Sequence, residues 1–266
     1  MKILKQPSIN LSQFILIFSG TLITILGLSV MIGWHTKNTT VITIFPSFAP
    51  MAYNAALCFA LCGITFLMGV TAFKRIAIIS GAMVLIISLV TVIEYITGLN
   101  FGIDQVLMSY YVDFPNPHPG RMALTTAICF TLSGIAFLLN FSKSSKRSTL
   151  MGIIGAVVLI AGILGSVAAI LITIAVTGYL MKIPTAYNWG IFAVMAVHTA
   201  LGLICLGAGI IAQSWNDNKL KAKDSLRWLP ILVSLGMAAM SINFYFALTP
   251  SGKLLPNKQL SDTPKN

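Results

Sequence analysis

The chain has 266 residues, of which 57% are hydrophobic and 9% charged, and its mean hydropathy is +0.90. A soluble domain usually has about 25% charged residues, so this composition excludes an ordinary water-soluble protein and indicates a lipid environment. The formal net charge of +11 does not indicate nucleic-acid binding, because the basic residues lie in short clusters between apolar runs, a pattern typical of membrane topology.

Seven apolar runs are long enough to cross a bilayer as helices, which requires about 20 mostly apolar residues. They cover approximately 11–34, 50–72, 76–98, 120–141, 150–179, 188–213 and 228–248. The predicted fold class is therefore all-α, a polytopic membrane protein with seven transmembrane helices within residues 1–249. The remaining residues, 250–266, are polar and contain three prolines, so we expect a disordered tail.

An internal repeat organises these runs. The segments Met51–Leu67 and Met122–Leu138 are identical at 10 of 17 positions when aligned at an offset of 71, and Met195–Gly207 is a fainter third copy. The sequence thus predicts three helical hairpins, about 11–73, 76–142 and 150–214, followed by a seventh helix at 228–248. Each hairpin would be an inside-to-outside helix, an outer loop, and a returning helix that begins near the Met-Ala motif.

The orientation follows from the lysines and arginines. With the N-terminus inside, 11 of the 17 lie in inner segments and the other 6 in outer segments. The positive-inside rule then places the N-terminus in the cytoplasm and, after seven spans, the C-terminus outside.

The longest predicted loop joins the third and fourth spans on the outer side, from Leu99 to Gly120. Its segment Ile103–Tyr111 is predicted to form an amphipathic helix at the membrane interface. The following segment, Asp113–Gly120, is rich in proline and turn residues and cannot be helical throughout.

Polar side chains recur at matching repeat positions near the outer surface. Asn54, Thr125 and His198 occupy one position, and Thr126 and Thr199 follow at the next. Pseudo-symmetric packing would bring them together as a ligand-binding cluster. The alternative for asparagine and threonine is a structural role as helix caps or interhelical hydrogen-bonding groups, whereas an imidazole in a membrane helix needs a partner.

Glu94 is the only carboxylate inside a predicted span. A charge there is costly unless it is paired, hydrated or neutralised. We expect it either to reach the hydrated interface or to pair with Arg121 or His198. Other acids and histidines also fall on the outer side, and His118 and Asp104 are secondary candidates for the same ligand site.

Catalytic, metal and cofactor sites are not indicated. The chain has no GxSxG, HExxH, phosphate-loop or dinucleotide-binding motif, and no HxxxH, CxxC or ExxH spacing. Cys58 and Cys62 share a helix face, but we interpret them as packing residues. We therefore predict a protein that is not an enzyme and has no cofactor.

Four segments of the chain resemble a known family. Glu94–Gln105 (EYITGLNFGIDQ), and His118–Met122 (HPGRM) with Thr126–Phe130 (TAICF), look like the multi-pass N-terminal membrane region of bacterial sensor proteins. The segment Met195–Ala200 looks like the third-repeat motif of that region. In those proteins the region precedes PAS, histidine kinase or diguanylate cyclase modules, so the resemblance implies a signal-input role and carries over no catalytic residue. The chain is then either a fragment of a longer receptor or a stand-alone membrane protein.

The leading hypothesis is a sensory domain of the bacterial cytoplasmic membrane that binds an unknown small ligand or ion near the outer leaflet. Its partners would be the lipid bilayer and that ligand; a homodimer is left open. The alternatives are a small transporter or channel, since repeats and an intramembrane acid fit that class, and a structural membrane subunit.

Overall fold

A computed structural model describes residues 11–43, 49–71, 73–114, 118–142, 146–161, 163 and 196–216. These residues form seven helices and no strand. The helices are α1 (Leu11–His35), α2 (Thr39–Thr43), α3 (Tyr53–Gly69), α4 (Lys74–Thr97), α5 (Leu124–Asn140), α6 (Arg147–Ala161) and α7 (Val197–Asn216).

The predicted all-helical class is confirmed for the described residues. Six of the seven predicted apolar runs contain a helix; the run 228–248 and the tail 250–266 lie outside the described residues. Helices α1, α4 and α7 are long and apolar enough to cross a membrane, whereas α3, α5 and α6 are shorter apolar helices. The short helix α2, between the first two runs, was not predicted.

The helices pack as an inner group and an outer group. The main neighbours are α1 with α3 and α4 with α5; α1 also packs on α7, and α3 on α4. Helices α3, α5 and α7 contact one another. Only 33% of the apolar window is buried in α1 and in α4, compared with 67% in α7. The outer helices α1 and α4 therefore present most of their large apolar side chains outward, as a lipid-facing surface requires.

Three glycines at the same place in the Met-Ala motif lie at close helix contacts. A Cβ on Gly63 of α3 would lie 2.5 Å from the carbonyl oxygen of Gly20 in α1. A Cβ on Gly134 of α5 would lie 2.8 Å from Cα of Leu85 in α4, and one on Gly207 of α7 would lie 2.6 Å from the carbonyl oxygen of Gly155 in α6. Helices α3, α5 and α7 thus approach α1, α4 and α6, respectively, at positions where only glycine fits, as in closely packed membrane helices.

Phenylalanines at matching motif positions meet in the core. The rings of Phe59 and Phe130 lie 4.8 Å apart, and those of Phe66 and Phe137 lie 5.2 Å apart, both in edge-to-face geometry. All four side chains are almost completely buried and belong to one apolar cluster. Helices α3 and α5 are therefore joined through equivalent residues of the first two motif copies.

The loop after α4 differs from its prediction. Residues 99–114 form turns, bends and irregular backbone, so the amphipathic helix predicted for Ile103–Tyr111 is wrong. Two glycines break the helical path, Gly102 at φ 76° and Gly98 at φ 70°. The loop is instead fixed by contacts with distant residues, which local amphipathicity cannot reveal.

Candidate functional site

The last turn of α4 is built to hold the loop that follows it. Gly98 adopts the left-handed conformation, and its N–H donates to the carbonyl oxygen of Glu94 (3.0 Å), a typical helix C-terminus. The chain then turns back, so that the N–H of Phe101 donates to Oε1 of Glu94 at 2.7 Å. The Asn100 side chain accepts the N–H of Gly102 at 2.8 Å and closes the turn. One carboxylate oxygen of Glu94 is therefore used to fix the loop.

The segment before α5 brings Arg121 to the same place. Gly120 has a φ of 82°, and a Cβ there would lie 2.9 Å from the carbonyl oxygen of Asp104. Glycine is required on both counts, since other residues rarely adopt this conformation and no side chain fits the gap. The two parts of the loop can therefore approach closely enough for Arg121 to reach Asp104.

Arg121 lies between two carboxylates. Its Nη2 is 3.2 Å from Oε2 of Glu94, and its Nε donates to Oδ2 of Asp104 at 2.7 Å. The exposed fractions of the three side chains are 4% for Arg121, 0% for Glu94 and 7% for Asp104. Arginine suits such a position because its planar group donates in several directions at once. We call Glu94, Asp104 and Arg121 the charge cluster.

Tyr95 supports the charge cluster from α4. The centre of the guanidinium of Arg121 lies 5.4 Å from the centroid of the Tyr95 ring, within the range of a cation–π contact. The hydroxyl of Tyr95 donates to the carbonyl oxygen of Met122 at 3.1 Å, and its ring meets His118 edge to face at 5.8 Å. The last turn of α4 is thus joined to the segment before α5 by ion pairing, by ring contacts and by a hydrogen bond.

The loop is also tied to α1 and α3. Nδ2 of Asn54 donates to the carbonyl oxygen of Ile103 at 2.9 Å. The hydroxyl of Tyr111 donates to the carbonyl oxygen of Trp34 at 2.8 Å. Burial raises the pKa of Tyr111, so this phenol keeps its proton at neutral pH and remains a donor. Four helix ends, those of α1, α3, α4 and α5, are therefore connected through one loop.

A cavity of about 170 Å³ opens beside the charge cluster. It is lined by Asn100, Gly102, Asp104, Gln105, His118, Pro119 and Arg121. Oδ1 of Asp104 is buried and has no hydrogen-bond partner among the described residues. With both acids ionised, two negative charges and one positive charge leave the cluster with a formal charge of −1. With this charge and with Asp104 in its lining, the cavity is suited to a small cationic group rather than to an anion.

The structure brings together part of the predicted ligand set. Glu94 pairs with Arg121, which is one of the two partners proposed for it, and the pair is buried rather than hydrated at the interface. Asp104, a secondary candidate, completes the charge cluster, and Asn54 holds the loop that contains it. His118, the other secondary candidate, is exposed and lines the cavity.

In the described part of the chain, the other predicted residues are not bonded to the charge cluster. Thr126, His198 and Thr199 are buried, but in the described part of the chain no hydrogen bond or ion pair joins them to Arg121. The backbone of Ile42 lies beside the His198 imidazole, although neither ring nitrogen makes a well-formed hydrogen bond.

Thr125 is exposed, so it does not face the buried side of α5 as Asn54 faces that of α3. Adjacent residues on a helix point about 100° apart, and on α5 it is the neighbouring Thr126 that is buried. Thr125 therefore does not share a buried pocket with Asn54 and His198, contrary to the prediction from the repeat alignment.

Three residues of the site were given no role by the sequence analysis. They are Tyr95, which contacts Arg121, and Asn100 and Gln105, which line the cavity. Asn100 could have been found from its sequence, since an asparagine two residues before a glycine often closes a turn. The other two depend on contacts across the loop. All three lie in Glu94–Gln105, one of the segments that carry the resemblance to sensor proteins.

No metal centre is evident among the described residues, where no group of three or more His, Cys, Asp or Glu side chains could hold an ion. The charge cluster has only two such side chains, and Arg121 already occupies the space between them.

Comparison with known proteins identifies no relative. No protein-family model, no curated protein and no solved structure matches the chain. The resemblance to bacterial sensor regions therefore stays a prediction, and the function must be argued from the geometry of the charge cluster and its cavity.

Proposed function

We propose that the chain is a membrane-embedded sensory domain that binds a small ligand or ion at the end of the bundle containing the charge cluster. The observation that carries the proposal is the buried Arg121 between Glu94 and Asp104, beside a cavity that Arg121 and Asp104 both line. A charge is expensive to bury in a membrane protein, so buried ionisable residues are candidates for a functional site. The domain performs no catalysis by itself.

The proposed setting is a bacterial cytoplasmic membrane. The three long apolar helices support membrane insertion, and the basic residues at the opposite end from the charge cluster support an orientation with the cluster outside. The matching glycine and phenylalanine contacts support three duplicated hairpins, which with the predicted run 228–248 give seven spans.

The proposed signal is a change in how the loop is held. A cation beside Asp104 would compete with Arg121 for the same carboxylate and weaken the link between the loop and α5. Because the loop connects the ends of four helices, the two states would differ in how the helix pairs are held together. A ligand shifts such an equilibrium only to the extent that it binds one state better.

The test is thermal stability in detergent across a series of cations (Na⁺, K⁺, Mg²⁺, Ca²⁺ and ammonium compounds) and across pH. We expect at least one cation to shift the melting temperature, by on the order of 5 °C when it is present at about 100 times its Kd. Asp104→Asn should abolish the shift, because the amide is neutral and has nearly the same shape.

Asp113→Asn is the matched control, since Asp113 is an exposed acid of the same loop that does not line the cavity. This variant should keep the shift. The other outcome is that Asp104→Asn has a lower melting temperature, while no cation shifts the melting temperature of the wild type or of the variant. The charge cluster would then have a structural role only, and the proposed sensory function would be wrong.

A further inference from the structure

The charge cluster contains one more acid than Arg121 can balance. Glu94 and Asp104 are 0% and 7% exposed, and in the described part of the chain their ion pairs involve no basic residue other than Arg121. With both acids ionised, one carboxylate charge stays buried without a counter-charge of its own. Such a charge is costly in the interior of a membrane protein, so the fully ionised cluster is an unfavourable state.

Each acid also has a buried oxygen atom that lacks a donor. Oε1 of Glu94 accepts the N–H of Phe101, and Oδ2 of Asp104 accepts the Nε–H of Arg121. The second oxygens, Oε2 of Glu94 and Oδ1 of Asp104, are buried and have no hydrogen-bond partner among the described residues. Nη2 of Arg121 is 3.2 Å from Oε2 of Glu94, but it makes an ion pair there and no aligned hydrogen bond. Two acceptors in one buried cluster are therefore left without a donor.

The carboxyl groups of Glu94 and Asp104 are close enough to form a hydrogen bond with each other. Two ionised carboxylates cannot form it, because both are acceptors only and their like charges repel. A carboxyl group that keeps its proton is a donor. One proton held between the two groups would therefore supply the missing donor and change the formal charge of the cluster from −1 to 0.

A proton suits this pair better than a metal ion does. A proton lies between two side chains and takes no space of its own, so the buried oxygens do not need to face the cavity. A calcium or magnesium ion needs about six oxygen ligands around it. The charge cluster has two carboxyl groups, and Arg121 already lies between them.

Few other titratable groups face Glu94. Tyr95 follows it in α4, Asp104 comes from the loop, and Arg121 and His118 come from the segment before α5, where the His118 ring meets Tyr95. The helices packed on α4 are α3 and α5. Their titratable side chains are phenols and thiols, namely Tyr53, Cys58 and Cys62 in α3 and Cys129 in α5. His118 is therefore the residue whose titration a test must separate from that of the carboxyl groups.

We propose that Glu94 and Asp104 hold one proton between them at neutral pH, so that the charge cluster is a proton-binding site. The proton is bonded to one carboxyl group and donated to the other, and Arg121 balances the remaining negative charge. Its release gives the cluster the charge of −1 that favours a cation in the adjacent cavity. The bound proton does not depend on the proposed sensory function, whereas its exchange for a cation rests on that function.

Infrared spectroscopy of the purified chain in detergent tests the proposal through the C=O stretching band of a protonated carboxyl group. The wild type should show this band at neutral pH, where exposed aspartates are ionised, and should lose it as the pH rises. Glu94→Gln and Asp104→Asn should each abolish the band, because the one remaining carboxylate pairs with Arg121 and ionises. A wild type without the band would overturn the proposal. A band that survives in Asp104→Asn would overturn the sharing, since burial alone would then protonate Glu94.

His118→Gln and Asp113→Asn are the matched controls. His118 lines the cavity and Asp113 is an exposed acid of the same loop, and neither belongs to the carboxyl pair. Both variants should keep the band and its pH dependence. Loss of the band in either control would show that the proton is not held by Glu94 and Asp104.

The pH dependence of unfolding is the second measurement. Above about pH 5 the folded wild type holds one proton more than the unfolded chain, in which both acids are ionised. Its folding equilibrium constant should therefore fall about tenfold for each pH unit until the proton is released. Glu94→Gln and Asp104→Asn should remove this slope, and an equal slope in the wild type and in both variants would overturn the proposal.

The proton site and the sensory function fail in different ways. A band in the wild type, together with no shift of the melting temperature by any cation, would support the proton site and refute the sensory function. A cation-dependent shift in a wild type that shows no band would support the sensory function and refute the proton site.

Discussion

Replacing Arg121 with methionine is expected to lower the free energy of unfolding by about 3–5 kcal/mol. The change leaves Glu94 and Asp104 buried without a counter-charge, and breaking a buried ion pair from one side usually costs that much. Chemical unfolding in mixed micelles would measure the loss. The free energy of unfolding of Arg121→Lys should lie between those of the wild type and of Arg121→Met. Lysine keeps the positive charge, but an ammonium cannot reproduce the planar contacts with both carboxylates.

Two comparisons make the Arg121 result specific. Arg75→Met removes an exposed arginine at the other end of the bundle and should change stability by about 0.5 kcal/mol or less. A triple variant (Glu94→Gln, Asp104→Asn, Arg121→Met) should recover much of the loss, since no uncompensated charge stays buried. A loss below about 1 kcal/mol in Arg121→Met would mean that the charge cluster is hydrated and not buried.

Gly63→Ala is expected to destabilise the chain by about 1–3 kcal/mol, even though alanine favours helices. The added methyl group would lie 2.5 Å from the carbonyl oxygen of Gly20 and 2.9 Å from the backbone nitrogen of Thr24, so α1 and α3 must move apart. Gly134→Ala and Gly207→Ala should destabilise the chain to a similar extent, because each places the methyl group against the backbone of a neighbouring helix.

Gly69→Ala is the control on the same helix as Gly63. The nearest atom to its added Cβ would be Nε2 of Gln213, at 3.8 Å, which is an ordinary contact. We expect its melting temperature to equal or slightly exceed that of the wild type. If Gly63→Ala is as stable as Gly69→Ala, the close packing of α1 on α3 is incorrect.

The helices could be predicted from the sequence because a long apolar run is a local property. Runs around α1 and α4 were found within a few residues of their observed bounds. The direction in which a side chain points is not a local property of the sequence. Thr125 and Thr126 are both suitable polar residues at the start of a helix, and only packing against other helices determines that Thr126 is the buried one.

Part of the charge cluster was also predictable. The energetic cost of burying Glu94 called for a partner, and Arg121 was one of the two named. Asp104 was assigned to an interfacial helix, because the contact that fixes it crosses from one part of the loop to the other. That contact depends on Gly120, whose special conformation has no signature in the pattern of apolar residues.

The proposed sensory function depends on one claim, that the charge cluster and the start of α4 face opposite sides of a membrane. Single cysteines placed in a cysteine-free background test it most directly. Val106→Cys lies in the loop, where the native side chain is 73% exposed, and Phe73→Cys lies just before α4, where the native side chain is 62% exposed.

The measurement is labelling of intact cells by a membrane-impermeant thiol reagent. We predict that Val106→Cys reacts from outside, and that Phe73→Cys reacts only after the membrane is opened. Labelling of both cysteines from the same side, or of Phe73→Cys alone in intact cells, would contradict the account.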